Sequence, residues 1–189
     1  GLADYVNETF TDGSVAIAYD SRIKSDVFAK EAASVLAANG IKVYIYPELM
    51  PTPMLSYAVR KLACKAGIVI TASHNPAKYN GYKAYGADGC QMTLEAAEIV
   101  LGKINSVEMF GGAKVISFDE GLSSGMIEYI GKDVIECYLE EVQKQSIHSG
   151  ICATSGLKVV YTPLNGTGNK PVRAILDKIG IKDVTVVPE

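Results

Sequence analysis

Histidine is scarce in this chain, at two residues in 189, and the four cysteines, Cys64, Cys90, Cys137 and Cys152, are scattered with no C-x-x-C pair. That spacing indicates neither a zinc site nor a disulfide scaffold, and a reduced compartment fits it best. No Lys/Arg block occurs, and 18 Lys+Arg against 21 Asp+Glu leave a net charge of −3. The basic stripe that displaces phosphate counterions is therefore missing, and no nucleic-acid partner is expected. No apolar run approaches the roughly 20 residues that span a bilayer, and the start, Gly1 to Tyr5, lacks a basic region followed by an apolar one. A cytoplasmic location without membrane contact is the expectation. The start also has no Met, so an excised piece of something longer is expected. What is present is an ordinary apolar content of 48%, enough for one good core or two small ones.

Three short β-rich runs, Val15 to Tyr19, Ile41 to Tyr46 and Gly67 to Ala72, enclose helical patterns at residues 25 to 39 and 52 to 65. The pattern predicts a βαβαβ unit and an α/β fold. In the first helix Phe28, Ala32, Val35 and Leu36 share a face, Ser25 is placed to cap and Gly40 to take the left-handed position after the end. In the second, Thr52 can cap, Pro53 takes the first helical position, and Leu55, Ala58, Val59 and Leu62 form the stripe. A short hairpin is expected around Ala87-Asp88-Gly89. A third helix follows at residues 93 to 104, with Thr93 as cap and Ala97, Val100, Leu101 and Ile104 buried.

The expected division is a first domain over residues 1–112, a linker over 113–131 and the first part of a second α/β domain over 132–189. In that second part Ile135, Tyr138, Leu139 and Val142 line one helix face, and Val172, Ile175, Leu176 and Ile179 another. Strands are expected at Leu157 to Thr162 and Val184 to Val187, flanking a glycine-rich turn, Pro163 to Gly168, to which no role is assigned.

The most informative segment is residues 71 to 83, TASHNPAKYNGYK. An apolar run ends abruptly in Ser73-His74-Asn75-Pro76, presenting a hydroxyl beside an imidazole and an amide where a strand stops. Between Thr71 and Gly86 stand His74, Lys78 and Lys83 and no acidic residue, an island suited to a compact anion. Right-handed crossovers put the loops after all three strands on one sheet edge, so Asp20-Ser21-Arg22, Pro47 to Thr52 and Ser73-His74-Asn75 are expected to converge. Asp20 is expected to cap its own turn and Lys78 to be a surface lysine. A serine hydrolase is disfavoured: there is no G-x-S-x-G elbow, no partner for His74, and adjacent side chains seldom point the same way.

AYDSR at 18 to 22, GIVITASHNPAKYNGYKAYGADG at 67 to 89 and VVYTPLNGTG at 159 to 168 occur in an order that resembles the α-D-phosphohexomutases, the phosphoglucomutase and phosphomannomutase superfamily. The middle stretch looks most like the bacterial phosphoglucomutase branch that includes phosphopentomutase-like enzymes. The resemblance implies a three-layer first domain, with a mainly parallel sheet and helices on both faces, followed by a truncated second domain of similar type. It implies intramolecular phosphotransfer between C1 and C6 of a hexose phosphate, glucose 1-phosphate to glucose 6-phosphate, through phosphoserine and a sugar 1,6-bisphosphate that serves as intermediate and activator.

By that resemblance Ser73 carries the phosphoryl group, and one of its phosphate oxygens binds Mg²⁺ together with ligands outside this chain. Arg22, Asn75 and Lys83 are the expected phosphate- and substrate-binding residues. His74 neighbours the transferred group, and Lys83 is the candidate proton acceptor. The chemistry suits these residue types, because phosphoryl transfer depends mainly on positioning and on cations around the equatorial oxygens.

Departures accompany the likeness. The loops expected to hold the metal, the sugar and its distal phosphate are missing, and Asn165 stands where His is usual in TPLHGTG. The piece alone is therefore expected to be inactive. Phosphomannomutase or phosphopentomutase activity, or a non-catalytic sugar-phosphate-binding module, are the alternatives, and the sequence leaves oligomeric state open.

Overall fold

The computed structural model describes residues 1–188. The chain forms two compact units, Gly1–Ile130 and a second from Gly131 onward. The first runs α1 (Leu2–Thr9), β1 (Ser14–Tyr19), α2 (Ser25–Ala38), β2 (Lys42–Ile45), α3 (Thr52–Lys61), β3 (Ala66–Ile70), β4 (Tyr82–Gly86), α4 (Leu94–Ser106), α5 (Phe118–Ser123) and β5 (Ile127–Tyr129). Its five strands lie in the order β4-β3-β1-β2-β5, parallel except for β4, which pairs antiparallel with β3. This is the mainly parallel α/β sheet that the alternating pattern predicts.

The central strands read as unbroken apolar runs because helices cover both faces of the sheet. On one face Val15, Ile17, Val43, Ile45, Ile68 and Ile70 join Val6 of α1 and Ala29, Ala33 and Leu36 of α2 in a single cluster. On the other lies α3, whose Met54, Leu55, Ala58 and Val59 are fully buried. Each large aliphatic side chain removed from water in this way contributes about 1.5–3 kcal/mol. Gly67 permits the contact with α3: a Cβ there would lie 2.6 Å from Val59 Cγ2 and 3.2 Å from Leu55 Cδ2. The hairpin forms as expected, with Gly86 N–H donating to Cys90 O and Met92 N–H to Ala84 O.

Several local expectations are corrected. Ser25 does not cap α2: Lys24 holds that position, in the left-handed region, and the Ser25 side chain turns inward, 0% exposed. Thr52 is the first residue of α3 rather than its cap. That helix stops at Lys61, because Ala63 takes φ 53° and Cys64 N–H bonds back to Val59 O. Thr93 does cap α4, its Oγ1 accepting from Ala96 N–H. The buried stripe of α2 is Ala29, Ala33, Leu36 and Ala37, leaving Phe28 44% exposed, since small residues let the helix approach the sheet closely. On α4 only Val100 is buried, and Leu101 and Ile104 are half exposed.

The stretch expected as a linker is not one. It contains α5 and β5, and β5 adds a parallel strand beside β2, so the first unit extends to Ile130. Its three residues are too few to show a period of two in the sequence. The first helix, α1, was likewise outside the expectations, although Leu2, Ala3 and Val6 bury one face of it.

The second unit contains α6 (Lys132–Gln143), α7 (Ile151–Thr154), β6 (Lys158–Tyr161), α8 (Asn169–Lys178) and β7 (Asp183–Val186). Its sheet has two parallel strands. Gln143 Nε2 donates to Lys178 O at 3.0 Å, and Lys178 also pairs with Glu136, tying α6 to α8. Val134 and Leu139 are buried on α6, while Val142 is exposed and Val172, Ile175, Leu176 and Ile179 are only half-buried. Among the described residues no helix is long and apolar enough to cross a membrane.

Candidate active site

Because β1, β2 and β3 are parallel, the loops that follow them leave the same edge of the sheet. Backbone bonds join them there. Asp20 N–H donates to Ile70 O at 3.1 Å, and Met50 N–H donates to Tyr19 O at 3.0 Å. Burial first, then the negative field of Asp26, Tyr129 and Glu48, raises the Tyr19 phenol above its ordinary pKa at this rim.

Ser73 lies at the mouth of β3 and is exposed. Its φ is 58°, a left-handed conformation that a residue bearing a Cβ adopts only when its surroundings hold it there. Two local bonds do so: Ser73 N–H donates to Thr71 Oγ1 at 3.0 Å, and Asn75 N–H donates to Ala72 O at 3.1 Å. The sharp turn brings Ser73 Oγ to 3.3 Å from His74 Nδ1. The expectation that these neighbours diverge is corrected, and the left-handed residue is the reason. Among the described residues no carboxylate orients the imidazole from its other side, so the pair has two members of a hydrolytic triad and lacks the third.

Arg22 and Ser73 meet as expected, but through backbone. The guanidinium donates from Nη2 to Ser73 O, from Nη1 to Pro76 O at 2.9 Å and Tyr79 O at 3.1 Å, and from Nε to Asp20 Oδ2 at 3.0 Å. Four of its five N–H donors are thereby occupied. Its side chain is 10% exposed and that of Asp20 15%. One Nη2–H is left over; three of the other donors fasten the Ser73 loop and the fourth pairs with Asp20. Asp20 caps its own turn as expected, accepting from Arg22 N–H at 3.0 Å.

A second fastening holds the end of the loop at Asn80, beside the Arg22 bond to Tyr79 O. Ser25 Oγ donates to Asp20 Oδ1 at 2.8 Å and accepts from Asn80 Nδ2 at 2.8 Å. Asn80 Oδ1 in turn accepts from Gly81 N–H at 2.9 Å. Gly81 must be small, because a Cβ would sit 2.8 Å from Thr71 O, and Gly81 O accepts from Thr71 N–H at 2.9 Å. Ser25, expected as a helix cap, and Asn80 both lie outside the expected site. A polar Ser25 preceding the Ala29, Ala33 face was the available signal.

The remaining residues are more loosely gathered. Lys83 is half-buried on β4 opposite Val69, on the α3 face of the sheet, and among the described residues no hydrogen bond joins it to Ser73, Arg22 or His74. Asn75 is exposed, and Lys78 lies over its neighbour Tyr79 with Nζ 5.1 Å from the ring centre. Among the described residues no group of three or more His, Cys, Asp or Glu could hold a metal ion. Asp20 already accepts from Arg22 and Ser25, so these residues do not form a Mg²⁺ site by themselves.

The chain matches the family model for phosphoglucomutase/phosphomannomutase, alpha/beta/alpha domain I, over residues 1–109. It is 41% identical over 189 residues to a phosphoglucomutase of Staphylococcus saprophyticus, covering 100% of this chain and 34% of that protein. A phosphoglucomutase of Staphylococcus aureus (strain USA300) is 37% identical over 190 residues, covering 99% and 33%. Among solved structures, a Thermus thermophilus protein described as a phosphomannomutase superposes with a TM-score of 0.81 at 26% identity, over 98% of this chain and 39% of that one. The pp63/parafusin phosphoglucomutase of Paramecium, in its open form, shares the fold with a TM-score of 0.75 at 16% identity, over 97% and 37%. The chain thus spans about a third of the length of its curated relatives. With a matched domain that takes in the Ser73 loop and both of its fastenings, the chain belongs to the phosphoglucomutase/phosphomannomutase family.

Proposed function

We propose that the protein containing this chain is a phosphoglucomutase, interconverting glucose 1-phosphate and glucose 6-phosphate, and that Ser73 is its phosphoryl carrier. The observation that carries the reading is an exposed serine hydroxyl held in a strained turn at the mouth of a parallel sheet, with Arg22 bonded to the loop's carbonyls. Strain and exposure together suit a group that must be presented rather than packed. The likeness to curated phosphoglucomutases over the whole of this chain supports the same reading.

In the proposed cycle the Oγ–P bond of phosphorylated Ser73 breaks as the O6 hydroxyl of glucose 1-phosphate takes the phosphoryl group, giving the 1,6-bisphosphate. Lys83 is the group proposed to accept the hydroxyl proton, and Ser73 Oγ keeps the electron pair of the broken bond until the phosphoryl group returns. After the bisphosphate turns over, the O1–P bond breaks, the phosphoryl returns to Ser73 Oγ, and the proton returns to O1. His74 Nδ1 beside Oγ, the spare Arg22 donor and the Asn75 amide are the groups proposed to touch the transferring oxygens. Mg²⁺ supplies positive charge against those oxygens when bound. Its ligands other than the Ser73 phosphate belong to the rest of the protein, as do the groups that choose the sugar.

This division makes residues 1–189 alone inactive. Mannose phosphate is the second reading, favoured by the Thermus structure. Intact mass of the full-length protein tests the proposal: one phosphate adduct is expected, and Ser73→Ala is expected to lose it together with at least about 10⁴-fold of kcat on glucose 1-phosphate. Wild-type turnover by Ser73→Ala would overturn it.

A further inference from the structure

We propose that Asn80 is a positioning residue for transfer at Ser73, acting through the buried Ser25 hydroxyl. The inference rests on the reading of Ser73 as carrier and adds a role outside the reacting groups. The Ser73 loop leaves β3 and returns to β4 at Gly81. Arg22 fastens it along its length, through the carbonyls of Ser73, Pro76 and Tyr79. Asn80 fastens its return: Nδ2 bonds Ser25 Oγ at 2.8 Å and Ile23 O at 3.4 Å, while Oδ1 accepts from Gly81 N–H at 2.9 Å.

Both fastenings end on one carboxylate. Asp20 Oδ2 accepts from Arg22 Nε, and Asp20 Oδ1 accepts from Ser25 Oγ. The chain of bonds Asp20–Ser25–Asn80, then along the loop backbone to Arg22 and back to Asp20, is a closed ring. A closed ring resists rotation of the loop in a way that either tie alone does not, because every link must hold for the loop to keep its register, and opening any one slackens the whole. Ser25 has 0% exposure, so water does not compete for its hydroxyl, and loss of Asp20 would leave its buried O–H without an acceptor. The two loops thus behave as one body, and the left-handed Ser73, aimed by its own short turn, sits on it.

Neither Asn80 nor Ser25 needs to touch substrate for this. Displacing a reacting atom by about 1 Å costs on the order of 100-fold, so a slack ring lowers kcat while leaving ground-state binding of the sugar nearly unchanged.

The test uses the full-length protein, with kcat and KM on glucose 1-phosphate for Asn80→Ala, Ser25→Ala and the double variant, alongside Ser73→Ala. Expected are kcat losses of about 10- to 100-fold for each single variant, KM within about 2-fold, and a double variant no slower than about 2-fold below the slower single, since both changes open one ring. Unchanged kcat in both single variants, while Ser73→Ala is inactive, overturns the positioning role and leaves the carrier assignment standing. Losses that multiply in the double variant also overturn it, because they mean separate roles. If Asn80→Ala does not fold, Ser25→Ala decides: kcat within about 2-fold of wild type overturns the proposal, and a fall of about 10-fold at unchanged KM supports it. An active Ser73→Ala overturns the carrier reading and this proposal with it.

Discussion

The guanidinium of Arg22 donates to the backbone carbonyl of Ser73, a residue 51 positions further along the chain. A cation that the residue types suggest for phosphate spends most of its donors on the loop that presents Ser73. The difference decides how substitutions there should behave.

Arg22→Lys is expected to be nearly as damaging as Arg22→Ala. An ammonium could replace a point charge on phosphate, but it cannot reach Asp20 and three loop carbonyls in one plane. Both variants should lose about 1–3 kcal/mol of stability from the unpaired Asp20 and carbonyls. Both should also show faster amide exchange over residues 73–80. Protected amides with only a KM increase in Arg22→Lys would make Arg22 a phosphate ligand instead.

Gly81→Ala should lower stability by about 1–3 kcal/mol, because the new Cβ meets backbone, Thr71 O at 2.8 Å, rather than a side chain able to move aside. The shift falls next to Asn80, so kcat should fall as well. Thermal unfolding and steady-state kinetics on one preparation check both effects.

Burial pushes the Cys64 thiol from 9.0 up to about 11, against a lowering by the Ser14 hydrogen bond and Lys65. Since the folded state holds this proton more tightly than the unfolded chain, the stabilisation is complete below pH 9 and is lost as pH rises from about 9 to about 11. Up to about 2.5 kcal/mol is involved. Several tyrosines contribute in the same direction, so the observable is a difference: Cys64→Ala should lose less stability over that interval than wild type in chemical denaturation. In the folded protein exposed Cys90 should alkylate well before Cys64.

Residues 1–130 should unfold cooperatively by themselves and be more stable than residues 1–112. The shorter piece lacks β5, exposing Ile45 and Val43 at an unpaired edge of β2, and lacks the Phe118 and Leu122 packing against the core. Residues 131–188, with a two-stranded sheet, should give no sharp transition. Equal thermal midpoints for pieces 1–112 and 1–130 would show that β5 adds nothing to the sheet.

What is local or strongly periodic was legible in the residues: the βαβαβ order, the convergence of three loops on one edge, the Thr93 cap, the hairpin at Asp88-Gly89, and Ser73 as a presented hydroxyl. These follow from apolar runs, turn residues and the handedness of crossovers, all of which act over a few residues. Tertiary structure alone decided where the polar atoms of distant loops end up. Asp20, Ser25 and Asn80 carry no period that would tell a cap or a turn from a buried link, and β5 is too short to show one. Arg22 bonds the Ser73 loop because the folded sheet edge sets carbonyls from residues 73 to 79 within reach of its planar donors, a placement that no local pattern in the sequence encodes.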